Sequence, residues 1–83
     1  MSKNNFYTTS DLASAAFITY NGVKLAANYD KVNRSWVFQD PLKCAELDLL
    51  LRNGEASVEV MKYESSRRLL LGMVKQSRDA DSL

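Results

Sequence analysis

The side chains that could carry out chemistry in this chain are one thiol, Cys44, and three carboxylates close to it in sequence, Asp40, Glu46 and Asp48. A nucleophilic thiol needs a general base and a nearby cation that stabilises the thiolate. The sequence has no histidine, which is the commonest general base. Cys44 lies among leucines, so we expect an inert core residue. Glu46 and Asp48 are two residues apart on a predicted helix, point to different sides and cannot act as an acid–base pair.

Ligand sites for metals and phosphates are also missing from the sequence pattern. One cysteine cannot form an intramolecular disulfide, and a structural zinc site needs several more ligands than one thiol supplies. Gly22, Gly54 and Gly72 are too scattered for a loop that cradles phosphates. We therefore predict no catalytic, metal-binding or cofactor-binding residues and a non-enzymatic protein.

Positive charge concentrates near the C-terminus, although the formal net charge is only +1. Residues 65–78 contain no acid, whereas residues 40–64 are mainly acidic. A basic cluster this short is most often a solvated helix face. The functional alternative is contact with nucleic-acid phosphates, to which Tyr29 and Arg34 could add the tip of a hairpin. The candidate nucleic-acid contacts are Lys62, Arg67, Arg68, Lys75 and Arg78.

The elements that position these side chains follow from turn and capping signals. Thr9 or Ser10 is a suitable N-cap for a short apolar helix that ends at Asn21-Gly22. Residues 23–27 then alternate between apolar and polar, and residues 35–39 return as a second strand, which predicts a hairpin.

Capping and turn signals also predict the elements in the second half of the chain. Asp40-Pro41 predicts the start of a helix over residues 41–52, because proline is favoured at the first helical position, and Asn53-Gly54 predicts its end. Residues 55–60 alternate and predict a third strand. A last helix is predicted over residues 61–76, with one face formed by Val60, Tyr63, Leu70, Leu71 and Val74 around Arg67.

These elements predict a single α+β domain with the order α-β-β-α-β-α. Its three-stranded, mostly antiparallel sheet is packed by helices. The folded domain should span residues 9–76, with flexible segments at residues 1–8 and 77–83.

The predicted helix over residues 41–52 has two apolar sides. Leu42, Ala45 and Leu49 lie on one side, opposite a second stripe, so the helix must bury both sides or expose one. The two C-terminal helices could cover each other, but leucines left over would favour a homodimer or another protein partner. The candidate interface residues are Cys44, Leu47, Leu51 and Leu69.

Three segments together resemble a family of small uncharacterised phage and bacterial proteins, a domain of unknown function. They are Thr9-Ser10-Asp11-Leu12-Ala13-Ser14-Ala15-Ala16-Phe17, Trp36-Val37-Phe38-Gln39-Asp40 and Asn53-Gly54-Glu55-Ala56-Ser57-Val58, and the match spans about residues 8–75. This chain has Val60 where such proteins often place a proline at the start of the last helix. The resemblance implies a small accessory or regulatory protein and no reaction.

Location is predicted from what the sequence lacks. The first residues have no apolar signal segment, and no run approaches the roughly 18 apolar residues of a membrane span. A single cysteine fits a reducing compartment. We therefore expect a cytoplasmic protein without membrane contact, located in the host cytoplasm if it is encoded by a phage.

Overall fold

The computed structural model describes residues 6–81, with side chains for residues 6–78. The described chain is an α+β domain in which a two-stranded antiparallel sheet lies beside three helices. The predicted order α-β-β-α-β-α and its three-stranded sheet are therefore wrong. In chain order the elements are β1 Tyr7–Thr9, α1 Leu12–Tyr20, β2 Trp36–Phe38, α2 Pro41–Arg52 and α3 Val60–Asp81.

The partner of β2 differs from the prediction. β2 pairs in register with β1, so that Thr8 lies opposite Val37. β1 overlaps residues 1–8, which were predicted to be flexible, while residues 1–5 lie outside the described part of the chain. A strand this short has no repeating pattern of its own, and its pairing depends on a contact with a segment nearly thirty residues away.

The predicted hairpin is present only as a short ladder on the other side of β2. Leu25 forms an isolated bridge with Phe38, and the backbone N–H of Ala26 donates to the carbonyl of Val37 at 2.8 Å. The chain reverses at residues 31–34, between a bridged pair of Asp30 and Ser35. Residues 23–27 therefore approach β2 without forming a regular strand.

Residues 55–59 are irregular, which corrects the predicted third strand. Val58 is 37% exposed and Val60, the first residue of α3, is 70% exposed, so the alternating pattern does not mark a buried face. The segment is held instead by the backbone N–H of Glu59, which donates to the Tyr20 hydroxyl at 2.9 Å. This contact with α1 replaces the pairing that a strand would need.

α1 is the central helix of the fold. α2 and α3 both pack against α1. As a result, five consecutive α1 residues from Ser14 to Ile18 are buried. The N-cap is Asp11, whose side chain accepts from the backbone N–H of Ser14 at 3.2 Å, and not the predicted Thr9 or Ser10. The end at Asn21-Gly22 is confirmed, with Gly22 in the left-handed region.

α2 has the predicted bounds. Asp40 is its N-cap, and the Asp40 carboxylate accepts from the backbone N–H of Lys43 at 3.3 Å. Asp40 itself has a φ of 55°, a left-handed conformation that is costly for a residue with a side chain. Gly54 follows the helix with a positive φ, as the Asn53-Gly54 pair predicts.

α3 begins at Val60 and continues to Asp81, which extends beyond the predicted end at residue 76; residues 82–83 lie outside the described part of the chain. Its inner face is centred on Leu70, which is fully buried, with Tyr63 and Val74 packed against the core. The predicted inner-face residue Leu71 is 41% exposed. Within residues 6–81, no helix combines the length and apolar character needed to cross a membrane.

Candidate binding surfaces

A buried carboxylate, Asp48, joins three elements. The Ser14 hydroxyl donates to Asp48 Oδ1 at 2.7 Å, and the Tyr7 hydroxyl donates to Oδ2 at 2.8 Å. Arg52 Nη2 lies 2.9 Å from the same Oδ2. Asp48 is only 6% exposed, so these donors replace its water. The cluster ties β1, α1 and α2 together.

The Asp48 cluster shifts the pKa values of its members. Burial raises the pKa of Asp48, but hydrogen bonds from Ser14 and Tyr7 and the charge of Arg52 outweigh burial and hold that pKa below its ordinary value. Burial and the hydrogen bond to Asp48 together raise the pKa of Tyr7 to about 12. Tyr7 therefore keeps its proton at neutral pH and donates it to a charged Asp48.

A groove of about 490 Å³ lies over this cluster and is lined by Tyr7, Asp11, Ser14 and Asp48, among others. Both Asp48 oxygens already accept hydrogen bonds, and the raised pKa of Tyr7 makes its hydroxyl a poor acid. This arrangement suits a structural clamp better than proton transfer. The clamp was not predicted from the sequence, although an acid on the Cys44-Leu47-Leu51 side of α2 was a signal that the helix buries a polar contact.

The predicted interface residues do not form one exposed surface. Cys44 and Leu47 lie in the core, Leu51 is half-buried, and Leu69 is 57% exposed on α3. Cys44 Sγ donates to the carbonyl oxygen of Gln39 at 3.3 Å. Burial, assisted by the charge of Asp40, raises the pKa of the Cys44 thiol to about 11.

The exposed apolar side of α2 is the opposite stripe, which we call the outer face of α2 and define by Leu42, Ala45 and Leu49. Leu42 is 81% exposed and Leu49 is 58% exposed. A groove of about 240 Å³ runs beside this face and is lined by Tyr7, Ala45 and Leu49 together with Asp48 and Arg52. Both stripes were predicted from the sequence, but the interface was predicted on the stripe that is buried.

Four of the five predicted nucleic-acid contacts lie within an arc of about 100° on α3, and the fifth, Lys62, lies outside that arc. Lys62 Nζ lies 3.9 Å from Glu59 Oε2, and Arg67 Nη1 lies 3.5 Å from Glu64 Oε1, so two of the cations have acidic neighbours. Lys62 also lies roughly 120° around the helix from Arg68, at 100° per residue. Arg68 and Lys75 are exposed. Lys62 therefore does not share the face of the other four cations.

A different basic surface appears where the end of α3 meets the turn before β2. We call it the basic cleft. It has a volume of about 310 Å³ and is lined by Tyr29, Lys31, Arg34, Val74, Ser77 and Arg78. Only Arg78 belongs to the predicted α3 set, although Tyr29 and Arg34 were predicted as a hairpin tip. The turn brings two further cations to the same place.

The described side chains include no group of three or more His, Cys, Asp or Glu residues that could hold a metal ion. Comparisons with protein families, with curated proteins and with solved structures each gave no match. The Asp48 cluster, the outer face of α2 and the basic cleft are therefore the features from which a function can be inferred.

Proposed function

We propose that this protein is a non-enzymatic binding protein that forms a homodimer through the outer face of α2. The observation that carries this proposal is the exposure of two leucines, Leu42 and Leu49, at 81% and 58%. They lie seven residues apart with Ala45 between them, the spacing of a helix-packing seam. The other side of α2 is already buried against the core.

The outer face of α2 is a better candidate than the exposed apolar residues of α3. Leu69 and Leu71 are 57% and 41% exposed, but they flank the buried Leu70 on opposite sides of the helix. A single partner surface would contact one of them at a time. On α2 the apolar side chains form one continuous line.

The shape of the outer face favours a second copy as the occupant. Leu42 protrudes, whereas the small Ala45 leaves a groove between α2 and Tyr7 of about 240 Å³. Leu42 of one copy can fill this groove in the other, and two-fold symmetry makes the contact twice. Knob and groove lie on the same face, which is the requirement for a self-complementary interface.

The energetics set the affinity that this interface can reach. Full burial of a leucine side chain contributes roughly 1.5–3 kcal/mol, so the exposed parts of Leu42 and Leu49 in two copies contribute roughly 4–8 kcal/mol. The loss of translational and rotational freedom on association costs a similar amount. The two leucines therefore offset the cost of association, and a micromolar dimer, which needs a net free energy of about −8 kcal/mol, requires further contacts around them, such as those in the groove beside Tyr7.

A wider role follows from the sequence resemblance to small phage and bacterial proteins. An accessory or regulatory protein that acts through a protein surface in the cytoplasm agrees with an apolar face and an unreactive cysteine. Nucleic-acid binding through α3 alone is less well supported, because Lys62 and Arg67 lie beside Glu59 and Glu64.

The test is light scattering coupled to size-exclusion chromatography of Leu42→Glu and Leu49→Glu. Each variant places a charge in the proposed interface and should be a folded monomer at concentrations where the wild type dimerises. Val32→Glu is the matched control, because Val32 is 84% exposed in the turn before β2 and lies outside α2. It should associate like the wild type.

Two more variants distinguish this interface from unspecific association and from an interface on α3. Ala45→Phe fills the groove while keeping the face apolar, so it should weaken dimerisation if Leu42 of the other copy occupies the groove. Stronger association of this variant would indicate unspecific apolar contact. Leu69→Glu should have no effect. Dissociation by Leu69→Glu, with Leu42→Glu unchanged, would move the interface to α3 and overturn the proposal.

A further inference from the structure

We propose that the basic cleft binds a phosphate group. Three cationic side chains from two separate elements line this one cleft: Lys31 and Arg34 from the turn, and Arg78 from α3. The Ser77 hydroxyl lies in the same lining and can donate a hydrogen bond to a phosphate oxygen. The proposal is independent of the homodimer, whose face lies on α2.

The turn that carries Lys31 and Arg34 is rigidly built. The Asp30 carboxylate accepts from the backbone N–H groups of Val32 and Asn33, at 3.0 and 3.1 Å, and from the Asn33 amide at 2.8 Å. The Asn33 side-chain hydrogen bond, more than the backbone ones, lowers the pKa of Asp30. A charged Asp30 therefore holds the backbone of this turn at neutral pH and fixes the positions from which Lys31 and Arg34 extend.

Arg34 occupies a position that its backbone disfavours. Its φ is 53°, in the left-handed region where glycine and asparagine are the usual residues. An arginine there is strained relative to glycine, which has no Cβ to clash with the backbone. The side chain is the benefit that offsets this cost, and it lies in the lining of the cleft.

One wall of the cleft is the aromatic ring of Tyr29. Tyr29 packs against Trp36 with ring centroids 5.1 Å apart. Trp36 is buried behind Tyr29 and lies outside the cleft lining, so Tyr29 is the aromatic side chain of the lining that a ligand can contact.

The ligand class is a phosphate group, either in a small molecule such as pyrophosphate or in the backbone of single-stranded nucleic acid. Cations supply the attraction in both cases. A nucleic-acid strand would add base stacking on Tyr29. Trp36 is the sole tryptophan of the chain and contacts Tyr29, so its fluorescence reports on occupancy of the cleft.

The full chain is titrated with pyrophosphate and, separately, with a fluorescein-labelled oligothymidylate of fifteen nucleotides, at constant ionic strength. Trp36 fluorescence and fluorescence anisotropy are the readouts. Arg34→Gly should weaken binding at least tenfold, while urea denaturation shows equal or higher stability because glycine accepts the positive φ. Lys24→Ala is the control, since it removes an exposed cation that lies outside both α3 and the cleft lining.

The outcomes separate the sources of the phosphate and decide the proposal. Binding of both ligands, lost in Arg34→Gly and kept in Lys24→Ala, supports a cleft for phosphate itself. Binding of the oligonucleotide alone, with the same variant pattern, assigns the cleft to a nucleic-acid strand. Equal losses in both variants would show unspecific charge attraction and overturn the proposal. Absence of binding to either ligand at low salt also overturns it.

Discussion

Replacing Asp48 by asparagine removes the charge at the centre of the clamp while keeping the size of the side chain. The oxygen of the new amide can still accept from the Ser14 hydroxyl. The amide NH2 group, which is a donor, replaces the oxygen that accepts from Tyr7 and Arg52. Hydrogen bonds to a charged group contribute about 1.5–3 kcal/mol each. The ion pair with Arg52 adds little, because Arg52 is mostly exposed. We therefore expect a loss of about 2–3 kcal/mol in the free energy of unfolding.

The assay is urea denaturation of the wild type, Asp48→Asn and Tyr7→Phe at neutral pH. Tyr7→Phe removes one charge-assisted hydrogen bond and should cost about 1.5 kcal/mol. In the double variant the two losses should not add, because Tyr7 and Asp48 share one hydrogen bond. Additive losses, or an Asp48→Asn midpoint equal to that of the wild type, would refute the clamp.

The clamp also predicts how stability depends on pH. The folded-state pKa of Asp48 is lowered, so its contribution is present above the ordinary aspartate value of 3.8 and is lost as the pH falls through the folded-state value. The pKa of Tyr7 is raised from 10.0 to about 12, so its contribution is present below pH 10 and is lost as the pH rises toward 12. The acid loss should be smaller in Asp48→Asn, and the alkaline loss should be smaller in Tyr7→Phe, where the Cys44 thiol, with its pKa raised to about 11, still contributes to it.

Further predictions concern the caps and the thiol. Asp40→Ala should lower the free energy of unfolding by about 2 kcal/mol, because it loses the N-cap and keeps a left-handed backbone. Asp40→Gly should lower it by only a few tenths of a kcal/mol, because glycine accepts that backbone. Chemical denaturation compares the two variants, and equal losses would contradict the strain at Asp40. Cys44 should react with a thiol reagent far more slowly in the native protein than in the unfolded chain, because burial raises the pKa of its thiol to about 11; equal rates would place Cys44 at the surface.

The parts of the fold that the sequence predicts correctly are those with local signals. Asp40-Pro41 and Asn53-Gly54 define both ends of α2, because capping and left-handed termination depend on neighbouring residues alone. The end of α1 at Asn21-Gly22 follows in the same way. The sheet is different, since β1 exists through its pairing with β2 and through the anchoring of Tyr7 on Asp48.

The candidate surfaces likewise combine features that the sequence predicts with features that depend on contacts between distant residues. The two apolar stripes of α2 can be predicted from the sequence, but which stripe is buried depends on contacts with distant parts of the chain. Cys44 and Leu47 pack in the core, and the donors to Asp48 come from residues 34 and 41 positions away. The cations of α3 can also be predicted from the sequence. Their neighbours in the basic cleft come from a turn that precedes α2, so the cleft is visible only in the folded chain.

Sedimentation equilibrium of the wild-type protein, from low to high micromolar concentration, tests the proposed homodimer most directly. The apparent mass should rise from the monomer value of 9.4 kDa toward twice that value, with a dissociation constant in the micromolar range. The Leu42→Glu variant should keep the monomer mass throughout. A wild-type mass that stays at 9.4 kDa up to high micromolar concentration would contradict the account.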